Sequence, residues 1–235
     1  MHGHEVYRRS FLKLAATAAA LGLTAALGEP TNNGSLPRAS GASSILAEMY
    51  GERPMEPHPV PAVPYEEIAP RFHRQVVADP TGEPSGTIVV DVGNHFLYLV
   101  QVKGQAMRYG VALGRAGFEW SGRGVVQYKR KWPRWILSDE MVERDPKLEK
   151  YSLENGGMEP GANNPLGARA LYIFQDAEDT LYRIHGSQEW WTIGKHVSSG
   201  CVRMINQDVI DLYDRVSDGS PILVTDLSND KPDRS

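Results

Sequence analysis

The single cysteine of this chain, Cys201, is the first candidate for chemistry. It ends a turn-like Ser-Ser-Gly-Cys stretch and follows His185 along the sequence. Because the chain has no second cysteine, the thiol cannot form an internal disulfide. A cysteine that a histidine approaches in the fold is typical of a nucleophile with its base. The alternative role is a small buried apolar residue, which is common for lone cysteines.

Three sequence segments surround these two residues in a fixed order. They are GGMEPGANNPLGARALY at 156–172, IHGS at 184–187 and VSSGCVRM at 197–204. Together they resemble the signature of the YkuD-type L,D-transpeptidases, cysteine enzymes that remodel peptidoglycan. Many members have His where this chain has Ser199. The Ser-Ser-Gly-Cys form resembles the subgroup of enterobacterial enzymes that attach lipoprotein to the wall, so we do not interpret Ser199 as a sign of inactivation.

The resemblance assigns roles to the residues of the site. Cys201 is expected to attack an amide carbonyl of a stem peptide as a thiolate, and His185 to take the thiol proton. The Gly186 carbonyl is expected to orient the imidazole in place of an acidic third residue. His196, five positions before the cysteine, is the rival candidate for the base.

Further roles in the same segment concern the oxyanion and the substrate. Backbone N–H groups from Ser199 and Gly200 to the cysteine are expected to stabilise the tetrahedral oxyanion, and glycine permits a close backbone approach. Arg203 either binds a substrate carboxylate through a bidentate contact or forms a structural salt bridge. We expect no cofactor, and the scattered histidines give no grouping typical of a metal site.

The expected function is an L,D-transpeptidase that passes the acyl group of a stem peptide to an amine. The acceptor is either another stem, which gives a 3→3 cross-link, or the lysine of an outer-membrane protein or lipoprotein. Hydrolysis at the same site, as a peptidoglycan carboxypeptidase or endopeptidase, is the alternative. An inactive wall-binding module is a third hypothesis. By resemblance, carbapenems are expected to acylate the cysteine and inhibit the enzyme.

Short apolar runs predict the strands that position the site. Runs at 87–92, 96–100 and 105–111 are rich in β-branched and aromatic residues, and turn residues separate them. Two more runs, 170–174 and 181–184, place His185 at a strand end. With the resemblance, these runs indicate a mainly β, β-sandwich-like catalytic domain with a few short helices.

One helix is predicted directly after the cysteine. Asn206 is expected to cap it, and its apolar positions would bury one face: Val209, Ile210, Leu212, Tyr213 and Val216. The thiol would then lie just before the helix N-terminus, where partial positive charge favours a thiolate.

The N-terminal part of the chain indicates export. Arg8 and Arg9 begin a stretch that resembles a twin-arginine motif, and an apolar region follows at 14–28. That region is about fifteen residues long and weakly apolar, which is short for a bilayer span. We therefore expect residues 1–28 to be a twin-arginine signal peptide and the protein to work in the periplasm. An uncleaved anchor helix is the alternative.

The remaining boundaries follow from composition. Residues 29–85 are Pro-rich, and proline lacks the backbone N–H of regular structure. This segment is expected to be a linker or extended arm, with a short helix around 43–50. The catalytic domain is predicted at 86–226 and a polar tail at 227–235.

The charge balance bears on partners. A net charge of −4 argues against a general nucleic-acid binder, which needs a basic face. The local exception is the basic run 129–131, which is followed by Trp132 and Trp135. It is either a solvated loop or a surface that holds an anionic, sugar-bearing polymer near the site.

Overall fold

A computed structural model of the protein describes residues 40–114, 121–137, 142–143, 145–197 and 201–228. All of them belong to the compact unit Arg38–Ser235. They are mostly β-strands with few helices, which confirms the predicted fold class. The predicted signal peptide lies outside the described residues. Within these ranges, no helix has both the length and the apolar character needed to cross a membrane.

The strands of the described residues form one eleven-stranded sheet. They are β1 Gln75–Ala78, β2 Ile88–Asp91, β3 Phe96–Val100, β4 Gln105–Gly110, β5 Ala112–Gly114, β6 Gly122–Lys131, β7 Arg169–Gln175, β8 Glu178–Ser187, β9 His196–Val197, β10 Val202–Ile205 and β11 Pro221–Thr225. Their order across the sheet is β1-β4-β3-β2-β11-β6-β7-β8-β10-β5-β9. The pairs β2–β11, β8–β10 and β5–β9 are parallel, and the other neighbours are antiparallel.

Two α-helices of the described residues flank the sheet, α1 at Ser40–Tyr50 and α2 at Asn206–Arg215. Short 3-10 helices lie at 65–67, 70–72, 146–151 and 190–192. Helix α2 packs against β7, β8 and β10. Its Val209 and Leu212 are fully buried, as the apolar spacing predicts.

The sheet curls around its main core. Leu97 of β3 and Met204 of β10 belong to one cluster of buried apolar residues together with Leu212 of α2. These strands stand third and ninth in the sheet order, and at ~4.8 Å per strand a flat sheet would separate them by roughly 29 Å. The two ends of the sheet must therefore bend toward each other, as in a sandwich.

The Pro-rich segment carries more structure than its composition indicates. Tyr50, Ile68 and Phe72 are buried in a second apolar cluster on the outer face of β2–β4, together with Phe96 and Tyr98. Strand β1 also joins the sheet beside β4. From residue 40 onward the segment is therefore a packed cover and not a free linker, because apolar side chains between the prolines anchor it.

The predicted helix cap at Asn206 is wrong. Ile205 is the N-cap residue, and no side chain caps the helix. The Asn206 side chain is buried and its Oδ1 accepts a hydrogen bond from Ala168 N at 2.9 Å. Strand β10 separates Cys201 from α2, a distance of roughly 13 Å in extended chain. Because the helix field falls off within about one turn, it gives the thiol no support.

Candidate active site

The register of β8 and β10 brings the two predicted catalytic residues to one face of the sheet. Val202 pairs with Ile184, and Arg203 pairs with His185. Side chains alternate along a strand, and Ile184 and Val202 lie in the core. His185 and Arg203 therefore belong to the opposite face. Cys201 directly precedes β10, so the same alternation places it with them.

Neighbouring strands contact Cys201 on both sides, one at its backbone carbonyl and the other at its thiol. Gly114 N of β5 donates to Cys201 O at 3.3 Å. The Arg183 backbone N–H of β8 bonds to the thiol itself. Cys201 is thus fixed between two strands, two positions from the level of His185.

The His185 imidazole is oriented by a backbone carbonyl. Its Nδ1 lies 2.7 Å from Gly186 O, which is the contact that the family resemblance assigns. Because a carbonyl only accepts, Nδ1 carries the proton of the neutral ring and Nε2 holds the free electron pair. The arrangement suits a ring that accepts the thiol proton at Nε2.

Dense packing fixes that carbonyl. A Cβ added at Gly186 would lie 2.2 Å from Asn206 Oδ1 and 2.9 Å from Val209 Cγ1. A Cβ at Gly167, whose φ is +59°, would lie 2.6 Å from the carbonyl carbon of Gly186. Only glycine fits at these two contacts. Sequence reasoning missed the structural roles of Asn206 and Gly167, although both lie in or beside the segments that carry the family resemblance.

Burial sets the protonation state of the base. It lowers the pKa of His185 to about 4, and the charge of Arg203 acts in the same direction. The carbonyls of Gly186 and Pro165 oppose the shift because they favour the protonated ring. At neutral pH the imidazole is therefore neutral and ready to accept a proton.

Burial also raises the pKa of the Cys201 thiol. The Arg183 N–H and the charges of Arg183 and Arg203 oppose that shift. The resting site therefore contains a thiol and a neutral imidazole on one face of the sheet rather than a thiolate–imidazolium ion pair. A thiol in this state becomes a strong nucleophile only when it loses its proton to a base.

Two guanidinium groups flank the cysteine, and each already has a carboxylate partner. Arg203 forms an ion pair with Glu189, and among the described residues its buried Nε has no hydrogen-bond partner. The salt-bridge alternative for Arg203 is thus present, while its binding of a substrate carboxylate stays a prediction. Arg183 pairs with Asp179 at 2.7 and 2.8 Å. Sequence reasoning missed Arg183, although strand alternation places it two positions before the histidine on the same face.

His196 lies in a different environment. Its register partner is Leu113, which pairs with Val202, so His196 shares the face of Val202 rather than that of the cysteine. Its ring contacts His95 with centroids 4.5 Å apart. This geometry favours His185 as the base.

Two other sequence predictions concern the oxyanion donors and metal binding. Ser199 and Gly200 lie outside the described residues, so the proposed oxyanion donors stay predictions. In the part of the chain that the structure describes, no group of three or more His, Cys, Asp or Glu side chains is arranged to hold a metal ion.

Known proteins resemble this chain over the same region. A family model described as the L,D-transpeptidase catalytic domain, YkuD, matches residues 85–224. The putative L,D-transpeptidase YqjB of Bacillus subtilis is 39% identical over 97 residues, which cover 40% of this chain and 52% of that protein. The probable L,D-transpeptidase ErfK/SrfK of Escherichia coli is 30% identical over 146 residues, covering 59% of this chain and 44% of that protein. The chain thus spans about half the length of these curated relatives.

A solved structure from Brucella melitensis, named a probable carnitine operon oxidoreductase, is 49% identical. The match covers 66% of this chain and 94% of that chain, with a TM-score of 0.47. At that score the superposition carries no argument about fold, and the activity in the name is stated of that protein alone.

Proposed function

The chain belongs to the YkuD family of L,D-transpeptidase catalytic domains, and we propose that it is a peptidoglycan L,D-transpeptidase acting through a cysteinyl acyl-enzyme. The observation that carries the proposal is the shared face of Cys201 and His185 on adjacent strands. The Gly186 carbonyl, 2.7 Å from Nδ1, supports it because it leaves Nε2 as the proton acceptor.

The proposed reaction has two half-reactions. Cys201 Sγ attacks the carbonyl carbon between the third residue of a tetrapeptide stem and its terminal D-alanine, while His185 Nε2 takes the thiol proton. The C–N bond breaks, the imidazolium returns that proton to the leaving amine, and a thioester remains. An acceptor amine then attacks the thioester and loses its proton to His185. The new amide forms, and the released sulfur regains the proton.

The acceptor distinguishes the possible outcomes. The full chain is incubated with purified disaccharide-tetrapeptide, and the products are identified by mass. Dimers that have lost one D-alanine indicate transfer between stems, and shortened monomers indicate hydrolysis. A lysine-containing peptide in a parallel reaction tests a protein acceptor. Unchanged substrate under conditions in which the protein is folded would contradict the proposal.

A β-lactam tests the nucleophile independently of peptidoglycan. Its strained amide is expected to acylate the thiolate, and the family resemblance indicates carbapenems as the effective class. Intact-protein mass spectrometry should show one adduct per chain. The adduct should be absent from Cys201→Ala; if it persists there, the nucleophile is another residue.

We also propose that the protein acts outside the cytoplasmic membrane, because its substrate is found there and Arg8 and Arg9 resemble an export motif. Replacing both with Lys preserves charge but removes the pair that a twin-arginine translocase reads. The variant should accumulate inside the cell. Normal processing and export of the variant would reject this route and leave the enzymatic proposal standing.

A further inference from the structure

Three stacked side chains on neighbouring strands lead across the sheet toward Cys201, and a fourth joins them from the last of these strands. The Arg183 guanidinium lies 4.3 Å from the Tyr172 ring centroid, and Tyr172 stacks on Tyr128 at 4.4 Å and 21°. Arg130 covers the next ring, 4.9 Å from the Tyr128 centroid. We call these four residues the Arg-Tyr row. Its Arg183 end touches Cys201 through the backbone N–H.

A β-bulge creates this row. Val125 and Val126 pair with Phe174 and Ile173, but the register then shifts by one residue so that Tyr128 pairs with Tyr172. Without the shift, Tyr128 would share the core face of Val126. Bulges re-aim side chains in this way and are frequent near active sites.

The same bulge divides the basic run. Lys129 turns toward α2, where its Nζ donates to Tyr213 O at 2.7 Å. Trp132 is buried and donates to Glu56 Oε2 at 2.9 Å. Of the residues considered for polymer binding, Arg130 is the one that the register places on the face of Cys201.

The two arginines of the Arg-Tyr row differ in whether a carboxylate neutralises their charge. Asp179 neutralises Arg183. Within the described part of the chain, no carboxylate forms an ion pair with the exposed guanidinium of Arg130. The far end of the row therefore presents a cation that no described carboxylate neutralises.

The stacking determines which ligand chemistry the row suits. Each tyrosine ring is contacted by the other tyrosine and by one guanidinium, which leaves little free ring surface for a sugar to stack on. What remains for a ligand is the edge, with phenolic O–H and guanidinium N–H donors. Burial raises the pKa of Tyr172, which keeps its phenol protonated as a donor. A line of donors with a cation at one end complements the carboxylates and carbonyls of a peptide.

We propose that the Arg-Tyr row binds the acyl-donor stem peptide through its carboxylates, with Arg130 contacting the end farthest from Cys201. This inference rests on the proposed function. From the Arg183 guanidinium to the Tyr128 ring, the spacings of 4.3 and 4.4 Å match two to three extended residues at ~3.3 Å each, and Arg130 lies two positions from Tyr128 on the same strand. The donor is the occupant that fits, because its acyl segment is fixed at the cysteine and extends away from it.

Binding is measured first, without turnover. In the full chain carrying Cys201→Ala, isothermal titration with free tetrapeptide is compared with and without Arg130→Gln. The loss of one charge-assisted contact is expected to weaken binding about fivefold to tenfold, and less at high ionic strength. Arg123→Gln is the matched control, because Arg123 lies on the same strand and pairs with Glu83. It should leave affinity unchanged.

Tyr128→Phe sharpens the test, because it keeps the stacked ring and removes only the O–H donor. We expect a loss of about twofold to threefold, smaller than that of Arg130→Gln because the donor is neutral.

Two ligands separate peptide from sugar recognition. The tetrapeptide with amidated carboxylates should bind equally to the protein with and without Arg130→Gln, and the disaccharide without peptide should show no dependence on Arg130. The proposal is overturned if Arg130→Gln binds the free tetrapeptide like its parent, if amidation leaves the difference intact, or if the tetrapeptide does not bind. It is also overturned if the disaccharide alone depends on Arg130.

Turnover separates this inference from the proposed function. If the protein with Cys201 intact processes the stem and Arg130→Gln leaves KM unchanged, the proposed peptide-binding role of the Arg-Tyr row is wrong. The proposed transpeptidase function is then unaffected. If peptide binding depends on Arg130 but the wild-type protein converts no stem peptide, the transpeptidase proposal fails. The proposed binding of the peptide by the Arg-Tyr row is then kept.

Discussion

The two halves of the sheet differ in how their faces are covered. Strands β2 and β3 are buried along their whole length, with the main core on one face and the packed Pro-rich segment on the other. Strands β7 and β8 have α2 and the core on one face, while Tyr172 and Arg183 stay partly exposed on the other. Among the described residues, the face that carries Cys201 and His185 is thus less completely covered at β7 and β8 than the outer face of β2 and β3.

Both halves contain a buried titratable group, but with different partners. Asp208 is fully buried and accepts a hydrogen bond from Tyr50 at 3.3 Å, which ties the Pro-rich segment to α2. Burial raises the pKa of Asp208 to about 7, opposed by the charge of Arg74. His185 is buried against backbone carbonyls instead. In one half the buried carboxyl group of Asp208 holds the Pro-rich segment in place. In the other half the buried imidazole of His185 is the candidate proton acceptor.

The largest effect is expected in the open half. His185→Ala should reduce kcat/KM on a stem peptide by about 10²-fold or more, as is typical when general acid–base catalysis is lost. Steady-state kinetics on the folded variant measures it. His196→Ala is the matched control and should retain most activity, because its register places it on the other face. The opposite ranking would move the base to His196.

A core truncation in the covered half should lower the free energy of unfolding and leave kcat nearly unchanged. Leu97 is fully buried, so Leu97→Ala is expected to lower the free energy of unfolding by about 2–5 kcal/mol. Below the unfolding transition, kcat should stay near wild type. Val102→Ala, at a site 66% exposed, should change stability by less than about 0.5 kcal/mol. Denaturant titration measures both, and a large kcat loss in Leu97→Ala at full folding would break the division between the halves.

Sequence reasoning located best the strands that are marked by their own residue types and by the turns beside them. The run 96–100 is strand β3 with the same bounds, because β-branched and aromatic residues lie between clear turns. The one-residue shift after Val126 has no local signal, because register is a property of two strands. It nonetheless decides which face Tyr128 occupies.

The site residues divide in the same way as the strands, into those with a local sequence signal and those that depend on contacts between distant segments. Cys201 and His185 were predicted from the family segments, and strand alternation explains why they share a face. The packing of Asn206 against Gly186 and the anchoring of the Pro-rich segment by Tyr50 depend on contacts between distant parts of the chain. Composition does not report such contacts.

A smaller effect is expected from Asp208→Asn. The folded-state pKa of Asp208 is raised to about 7, so its contribution to stability is present below the unfolded pKa near ~3.9 and is lost as pH rises through ~7. Asn does not titrate. The stability of Asp208→Asn relative to wild type should therefore increase between about pH 4 and pH 7, as measured by urea unfolding at several pH values. A pH-independent difference would contradict the raised pKa.

The central claim is that Cys201 on the open face carries the acyl group. Wild-type protein and Cys201→Ala are mixed with disaccharide-tetrapeptide, quenched in acid within the first turnovers, and analysed by intact mass and peptide mapping. We expect one adduct on wild type, with the mass of the donor after loss of D-alanine, mapped to Cys201. Cys201→Ala should keep its fold and show neither adduct nor turnover. Turnover by Cys201→Ala, or an acyl group mapped to another residue, would contradict the account.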